Sequence, residues 1–447
     1  MFSSIANIFR IQDLRRKVLI TLLLLLICRF AAQVPTPGVN GQALKEYYQQ
    51  QSDQGGASLW NLINIFTGGA FRKVTILALG IMPYISASII LQLLTAVIPS
   101  LEKMVKEGGD EGRKKITQYT RYGTVLLCAF QAYFMSFSVQ NLGAGIVPDQ
   151  TIIFRLLAMV AMTTGTMFLM WVGEIITEHG IGNGISLIIT VGIVSRLPAA
   201  VAEVFERMPL NPTNKNPDLT FSSLAFLILL FLFVVAGVIL LTQGTRRIPV
   251  QYAKRVVGRK IYSGQSSYLP LRVNYAGVIP IIFASSILLF PATIAQWAPL
   301  PFLQNLAHNY LQPHSPVYIS LYVLMIIFFC YFWTATQFDP LKIANDMKKN
   351  GAFVPGIRPG KPTSDFLEFT MNRITFSGAI FLAVVAILPE LITKSMNLSY
   401  NIAQFFGGTS LLIIVGVLLD TLQAIESHLL MRHYDGLTKR GKLRGRK

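Results

Sequence analysis

Charge is scarce in this chain. Of its 447 residues, 13% are Asp, Glu, Lys or Arg, about half the share of an ordinary soluble domain. That composition excludes a soluble enzyme with a hydrated surface. It equally excludes a disordered chain, which needs charge and little apolar bulk. Cysteine is close to absent, and Cys28, Cys128 and Cys330 all lie inside apolar runs. No pair has metal-ligand spacing, so neither a disulfide nor a zinc site is expected, and each reads as a small apolar packing residue. No HExxH, GxSxG or Walker pattern occurs. No catalytic residue, metal or cofactor is assigned. The alternating pattern of a membrane β-barrel is missing as well, because the apolar runs are long and continuous.

Apolar residues make up 52% of the chain, and a membrane helix needs about 20 of them. Ten runs stand out: Val18–Ala32, Thr75–Val97, Gly123–Val139, Ile152–Val172, Ile185–Val204, Phe221–Thr242, Tyr275–Ala295, Val317–Thr336, Ile374–Leu391 and Thr409–Ala424. Arg15, Arg16 and Lys17 before the first run give it the outline of a signal peptide. Nine further runs make a retained first helix the more natural reading. The expected fold is an all-α membrane protein with ten transmembrane helices.

Orientation follows from where the net charge of +18 sits. Most Lys and Arg fall at Arg10–Lys17, Lys103–Arg121, Arg246–Arg272, Lys342–Arg373 and Arg432–Lys447. These segments share one side if the N-terminus is cytoplasmic, and an even number of spans returns the C-terminus there. Inside the spans ionisable groups are few. Arg29 and Glu390, near outer ends, can snorkel to the headgroups. Asp420 could pair with a nearby base. The mid-membrane carboxylate cluster of an ion-coupled transporter or an intramembrane protease is not seen.

The two halves carry related motifs. Gly80–Ile90, GIMPYISASII, and Gly277–Ile287, GVIPIIFASSI, both fit G-x-x-P-x-I-x-A-S-x-I. The copies lie on the second and seventh runs, so they cross the membrane in opposite directions. That is the mark of an inverted repeat, here two halves of five helices. Pro83 and Pro280 are expected to bend their helices, and the adjoining Ser and Ala permit close helix approach. Either a seam that opens or ordinary tight packing with a static kink fits this pattern. The expected organisation is a cytoplasmic amphipathic N-terminus (1–17), a first half (18–204) and an external connection (205–220). A second half (221–424), interrupted by cytoplasmic loops 243–271 and 337–368, precedes a basic cytoplasmic tail (425–447).

Leu59–Phe66, LWNLINIF, is apolar but too short to cross a bilayer, and Thr67-Gly68-Gly69 follows. It is either a half-helix dipping into the membrane under cover of protein or an interfacial helix. The loops 243–271 and 337–368 exceed ordinary helix connections. Arg246, Arg247, Lys254, Arg255, Arg259 and Lys260, interleaved with Val, Ile and Tyr in strand-like stretches, suit phosphates of RNA or lipid, or an acidic protein.

The stretches LGIMPYISASIILQLL (79–94), GIGNGISLII (180–189), RRIPVQYAKR (246–255), LPLRVNYAGVIPIIFASSILLFPATI (269–294), GAFVPGIRPG (351–360) and FGGTSLLI (406–413) resemble the SecY family of protein-conducting channels along nearly the whole chain. The resemblance implies a pore for unfolded secretory polypeptides that releases apolar segments sideways into lipid. It implies a mid-membrane ring of Ile81, Ile85, Ile193, Ile282 and Ile413. It implies a plug across 59–72, with Asn61, Leu62, Ile63, Asn64, Ile65, Phe66, Thr67, Gly68 and Gly69. A lateral gate would involve Pro83, Ser86, Ser88 and Gln92 on one side and Pro280, Phe283, Ser285, Ser286 and Phe290 on the other. Arg246, Arg247, Lys254, Arg255, Arg259, Lys260 and Arg358 would form a docking surface for SecA or the ribosome. The implied partners are SecE and SecG in a heterotrimer, the SecA ATPase, the ribosome, signal sequences and nascent polypeptides, and anionic lipids. The implied place is the bacterial cytoplasmic (inner) membrane, and no enzyme activity is expected. A small-solute secondary transporter, which also uses inverted repeats, and a pore-less scaffold or insertase are the rival readings.

Overall fold

A computed structural model describes residues 11–52, 59–141, 145–148, 151–207, 220–252, 255–257, 260–262, 266–275, 277–297, 302, 305, 310–312, 315–396, 402, 405–406 and 408–440. Lys254 and Arg259 lie outside the described residues, as do 1–10, 441–447 and most of the connection 205–220. The first half runs α1 (Gln12–Ala31), α2 (Gly41–Ser52), α3 (Leu59–Phe66), α4 (Met82–Val97), α5 (Pro99–Glu107), α6 (Gly109–Gln140), α7 (Ile152–His179), α8 (Gly184–Val194) and α9 (Leu197–Arg207). The second half runs α10 (Phe221–Gln243), β1 (Thr245–Tyr252), β2 (Arg255–Val257), β3 (Lys260–Tyr262), β4 (Ser266–Arg272), α11 (Ile279–Trp297), α12 (Pro316–Gln337), α13 (Pro340–Lys349), β5 (Ala352–Phe353), α14 (Lys361–Met396) and α15 (Thr409–Arg440).

Among the described residues, seven helices are long and apolar enough to cross a membrane, and α4 with the start of α5 makes an eighth if a bent pair counts as one span. The chain is a helical, multi-pass membrane protein. Two of the ten apolar runs fall short of that measure for local reasons. The helix α1 carries Arg15, Arg16, Lys17 and Arg29 within 20 residues. In α11 the apolar stretch Ile279–Thr293 is short. Large apolar side chains such as Leu229, Leu232 and Phe233 on α10 stand exposed, an arrangement that suits lipid rather than water.

The repeat prolines do not bend their helices. Pro83 lies in the first turn of α4 and Pro280 in the first turn of α11. There the missing N–H costs no hydrogen bond and the fixed φ favours helix initiation. The sharp bend comes instead at Pro99, where α4 and α5 meet at 103°. Ile98, the residue before that proline, is extended at φ −95° and ψ 112°, because the proline ring disfavours helical backbone in the preceding residue. The second apolar run is therefore helical only from Met82 onward. Its first part, 75–81, is a buried series of turns, held by Ile76 N–H to the Val34 carbonyl at 3.1 Å and Ala78 N–H to the Thr75 carbonyl at 2.9 Å. Non-helical backbone is tolerable at membrane depth when protein covers it.

Within the first half α6 packs on α4 and α7, and α8 on α7; within the second, α12 packs on α11 and α14, and α10 on α15. The halves meet where α11 lies against α4 and α6, and where α15 lies against α8. The two long loops, 243–271 and 337–368, fold together. β1 pairs antiparallel with β4 and, on its other edge, with β5. Ile248, Leu271, Phe338, Val354, Leu367 and Met371 form a small core beneath. The strand-like reading of 243–271 holds. The connection 337–368 is more regular than a loop, because Asp339 caps α13, its Oδ1 accepting from Leu341 and Lys342 N–H at 3.1 Å each.

Candidate functional site

The five isoleucines are all buried: Ile81, Ile85 and Ile282 at 4% exposure, Ile193 at 2% and Ile413 at 0%. They belong to one apolar cluster spanning both halves. Each lies within about a turn of a helix end. Ile81 is the N-cap residue of α4, Ile85 and Ile282 follow one turn into α4 and α11, Ile413 one turn into α15, and Ile193 closes α8. Helix ends thus set branched apolar side chains into a core that both halves share.

Segment 59–69 packs against α8 and α11. Ile63, Ile65 and Phe66 are buried, as are Asn64 and Thr67. The turn after α3 satisfies its own backbone: Gly69 N–H donates to the Asn64 carbonyl at 3.0 Å. Thr67 Oγ1 donates to the Ile63 carbonyl at 3.0 Å, and Asn64 Oδ1 accepts from Arg72 N–H at 3.3 Å. From Ile63 onward the segment is therefore covered by protein, as a half-helix dipping into the membrane requires and an interfacial helix does not. The side chains of Asn61 and Leu62 lie outside the described residues.

Arg29 does not snorkel. Its Nη2 turns inward and donates to the Gly68 carbonyl at 3.1 Å. The side chain of Glu390 lies outside the described residues. Asp420 has Arg272 as its electrostatic neighbour. Two cavities of about 40 Å³ each flank segment 59–69. One is lined by Ile65, Ile193, Arg196 and Glu203 among others. The other is lined by Arg29, Phe66, Thr67, Gly80, Ile81 and Gly192 among others.

Along the seam between halves, Ser286 Oγ on α11 stands 3.9 Å from Met82 Sδ on α4. The hydroxyls of Ser285 and Ser286 both donate back to the Ile282 carbonyl, at 2.9 and 2.7 Å. Gln92 Nε2 donates to Ser88 Oγ at 3.3 Å. Pro83, Ser86 and Pro280 are buried, and Ser88, Gln92 and Phe290 half-buried. Phe283 faces into its own half, edge-on to Phe329 and Trp333 of α12 at 5.7 and 5.8 Å. Met82 and Gly192 were not singled out from sequence; Gly68 was read only as part of the plug, and Arg29 only as a charge free to snorkel. The charge at the end of an apolar run was the available signal for Arg29.

On the sheet built by β1, β4 and β5, Arg246 and Arg247 are exposed, opposite Leu271 and Pro270 of β4. Arg255 and Lys260 lie on the paired strands β2 and β3, their side chains outside the described residues. Arg358 is exposed in the turn before α14, where its carbonyl accepts from Thr363 Oγ1 at 2.8 Å. No group of three or more His, Cys, Asp or Glu fit to hold a metal occurs among the described residues.

The SecY family profile matches residues 75–422. The protein translocase subunit SecY of Chlamydia muridarum is 46% identical over 459 aligned positions, covering 100% of both chains. That of Escherichia coli K12 is 44% identical, covering 97% of this chain and 96% of its own. Among solved structures, a protein-conducting channel superposes with a TM-score of 0.63 at 18% identity, covering 92% of each chain. Sec61 from the canine ribosome-channel complex does so with 0.60 at 17% identity and the same coverage.

Proposed function

The chain belongs to the SecY family, and from that premise we propose that it is the channel-forming subunit of a protein translocase. It conducts unfolded secretory polypeptides across the membrane and lets apolar segments leave sideways into lipid. The observation that carries this reading is the seating of segment 59–69 against α8 and α11, among buried isoleucines contributed by both halves.

A ring of branched apolar side chains holds off water and ions, yet presents a moving chain with no polar group to bind it. Ile81, Ile85, Ile193, Ile282 and Ile413 form that ring, and segment 59–72 is the plug above it. The seam between α11 and the pair α4 and α6 is the lateral gate. A signal sequence lodges there when the seam parts and exchanges protein contacts for lipid. Ten spans with both termini cytoplasmic, in the bacterial cytoplasmic membrane, accommodate the charge distribution. SecE and SecG complete a heterotrimer. Arg246, Arg247, Lys254, Arg255, Arg259, Lys260 and Arg358 dock SecA or the ribosome, and the basic loops also attract anionic lipids. A small-solute transporter predicts polar groups at mid-membrane, where the reading above places isoleucines.

The test is site-specific photocrosslinking in reconstituted vesicles from Ile85 and Ile282 to a precursor stalled halfway by a folded block. Crosslinks from both positions are expected. Their absence in vesicles that still translocate would place the path elsewhere.

A further inference from the structure

Arg29 lies at the end of α1, where a long cationic side chain has an open route to the headgroups. It takes the other route, and its Nη2 reaches the Gly68 carbonyl at 3.1 Å. The same turn also lies hard against α8. A Cβ on Gly68 would stand 2.5 Å from Arg29 Nη1 and 2.8 Å from both the Cα and the carbonyl oxygen of Gly192. A Cβ on Gly192 would in turn stand 3.1 Å from the Phe66 carbonyl oxygen. The turn thus packs against both a charged donor and bare backbone, a fit that only glycine at 68 allows.

We propose that Arg29 is the latch of the resting channel: it positions segment 59–69 against α8 and releases it when a polypeptide enters. The proposal rests on reading that segment as a plug. Charge-assisted hydrogen bonds are roughly twice as strong as neutral ones, so one such bond biases the seat without locking it. The adjoining cavity of about 40 Å³, lined by Arg29, Thr67 and Gly192, has room for water. Water entering there can take over both donor and acceptor as the segment leaves. Gly192 directly precedes Ile193, so the helix that seats the segment also carries a ring isoleucine. Unlatching the one loosens the packing of the other.

The experiment compares Arg29→Ala, Arg29→Lys and Gly68→Ala with the unaltered chain, each reconstituted with its partner subunits. Resting ion leak and passage of a precursor with a defective signal are read beside thermal stability. Ile282→Asn serves as the ring control. Arg29→Ala is expected to raise resting leak about tenfold and to pass the defective precursor, with transport of the intact precursor unchanged. Arg29→Lys, which keeps a donor but not the planar fork, falls between. Gly68→Ala leaks with Arg29 intact and decides the matter if Arg29→Ala does not assemble. Wild-type leak in Arg29→Ala, or in Gly68→Ala where that variant decides, beside a leaking Ile282→Asn overturns the latch and leaves the channel standing. Tight vesicles with Ile282→Asn as well would bring down the channel reading and the latch together.

Discussion

Gly80 and Gly277 hold the same backbone, with φ of +58° and +59°. They are the first residues of the two repeat motifs, and each stands just ahead of a helix that meets its counterpart across the seam. In both, a side chain donates to the glycine carbonyl: Thr166 Oγ1 to Gly80 at 3.0 Å and Asn274 Nδ2 to Gly277 at 2.8 Å. The repeat therefore extends from sequence to a shared left-handed turn, followed by a proline in the first helical turn.

That turn makes the two glycines unequal under substitution. Gly277→Ala meets nothing within 4 Å and is expected to cost only the backbone strain, about 1–2 kcal/mol. Gly80→Ala adds a Cβ 3.0 Å from Thr67 Cγ2, so it destabilises more and disturbs segment 59–69. Thermal unfolding in detergent ranks the two, and a larger loss at Gly277 would contradict this ordering.

Thr166→Val keeps the side-chain shape and removes the donor to the Gly80 carbonyl. The buried carbonyl is then left without that partner, and a loss of about 1–3 kcal/mol is expected. The same unfolding measurement checks it; an unchanged midpoint would show that another donor takes over.

Ile413→Asn places an amide where no solvent reaches, since Ile413 is 0% exposed. The closed state should weaken by about 1–3 kcal/mol, because the amide enters without a partner. The observable is a raised resting leak with easier passage of precursors bearing defective signals. Wild-type stringency and leak would argue that Ile413 is packing alone.

Arg358→Glu reverses an exposed charge in the turn before α14. The side chain is exposed, so a stability change within about 0.5 kcal/mol is expected. Transport driven by the cytoplasmic motor should fall while the variant still inserts and assembles. Motor binding assays separate lost docking from lost folding.

Local composition decided much of this protein. Apolar run length marked most of the helices, and a repeated motif marked two helix starts with the same glycine turn. Those signals are legible because bilayer thickness and local backbone preference act on each segment separately. Strand propensity in 243–271 was legible for the same reason. The tertiary structure decided where local rules compete. A proline reads as a kink until the helix start is known, and Pro83 and Pro280 fall at starts while Pro99 makes the bend. Leu59–Phe66 could lie on the surface or inside, and only the presence of α8 and α11 around it supplied the cover that buries it. Arg29 could reach headgroups or protein, and the Gly68 carbonyl, 39 residues away in the chain, settled its direction. Such outcomes depend on partners distant in sequence, whose positions exist only once the helices have packed.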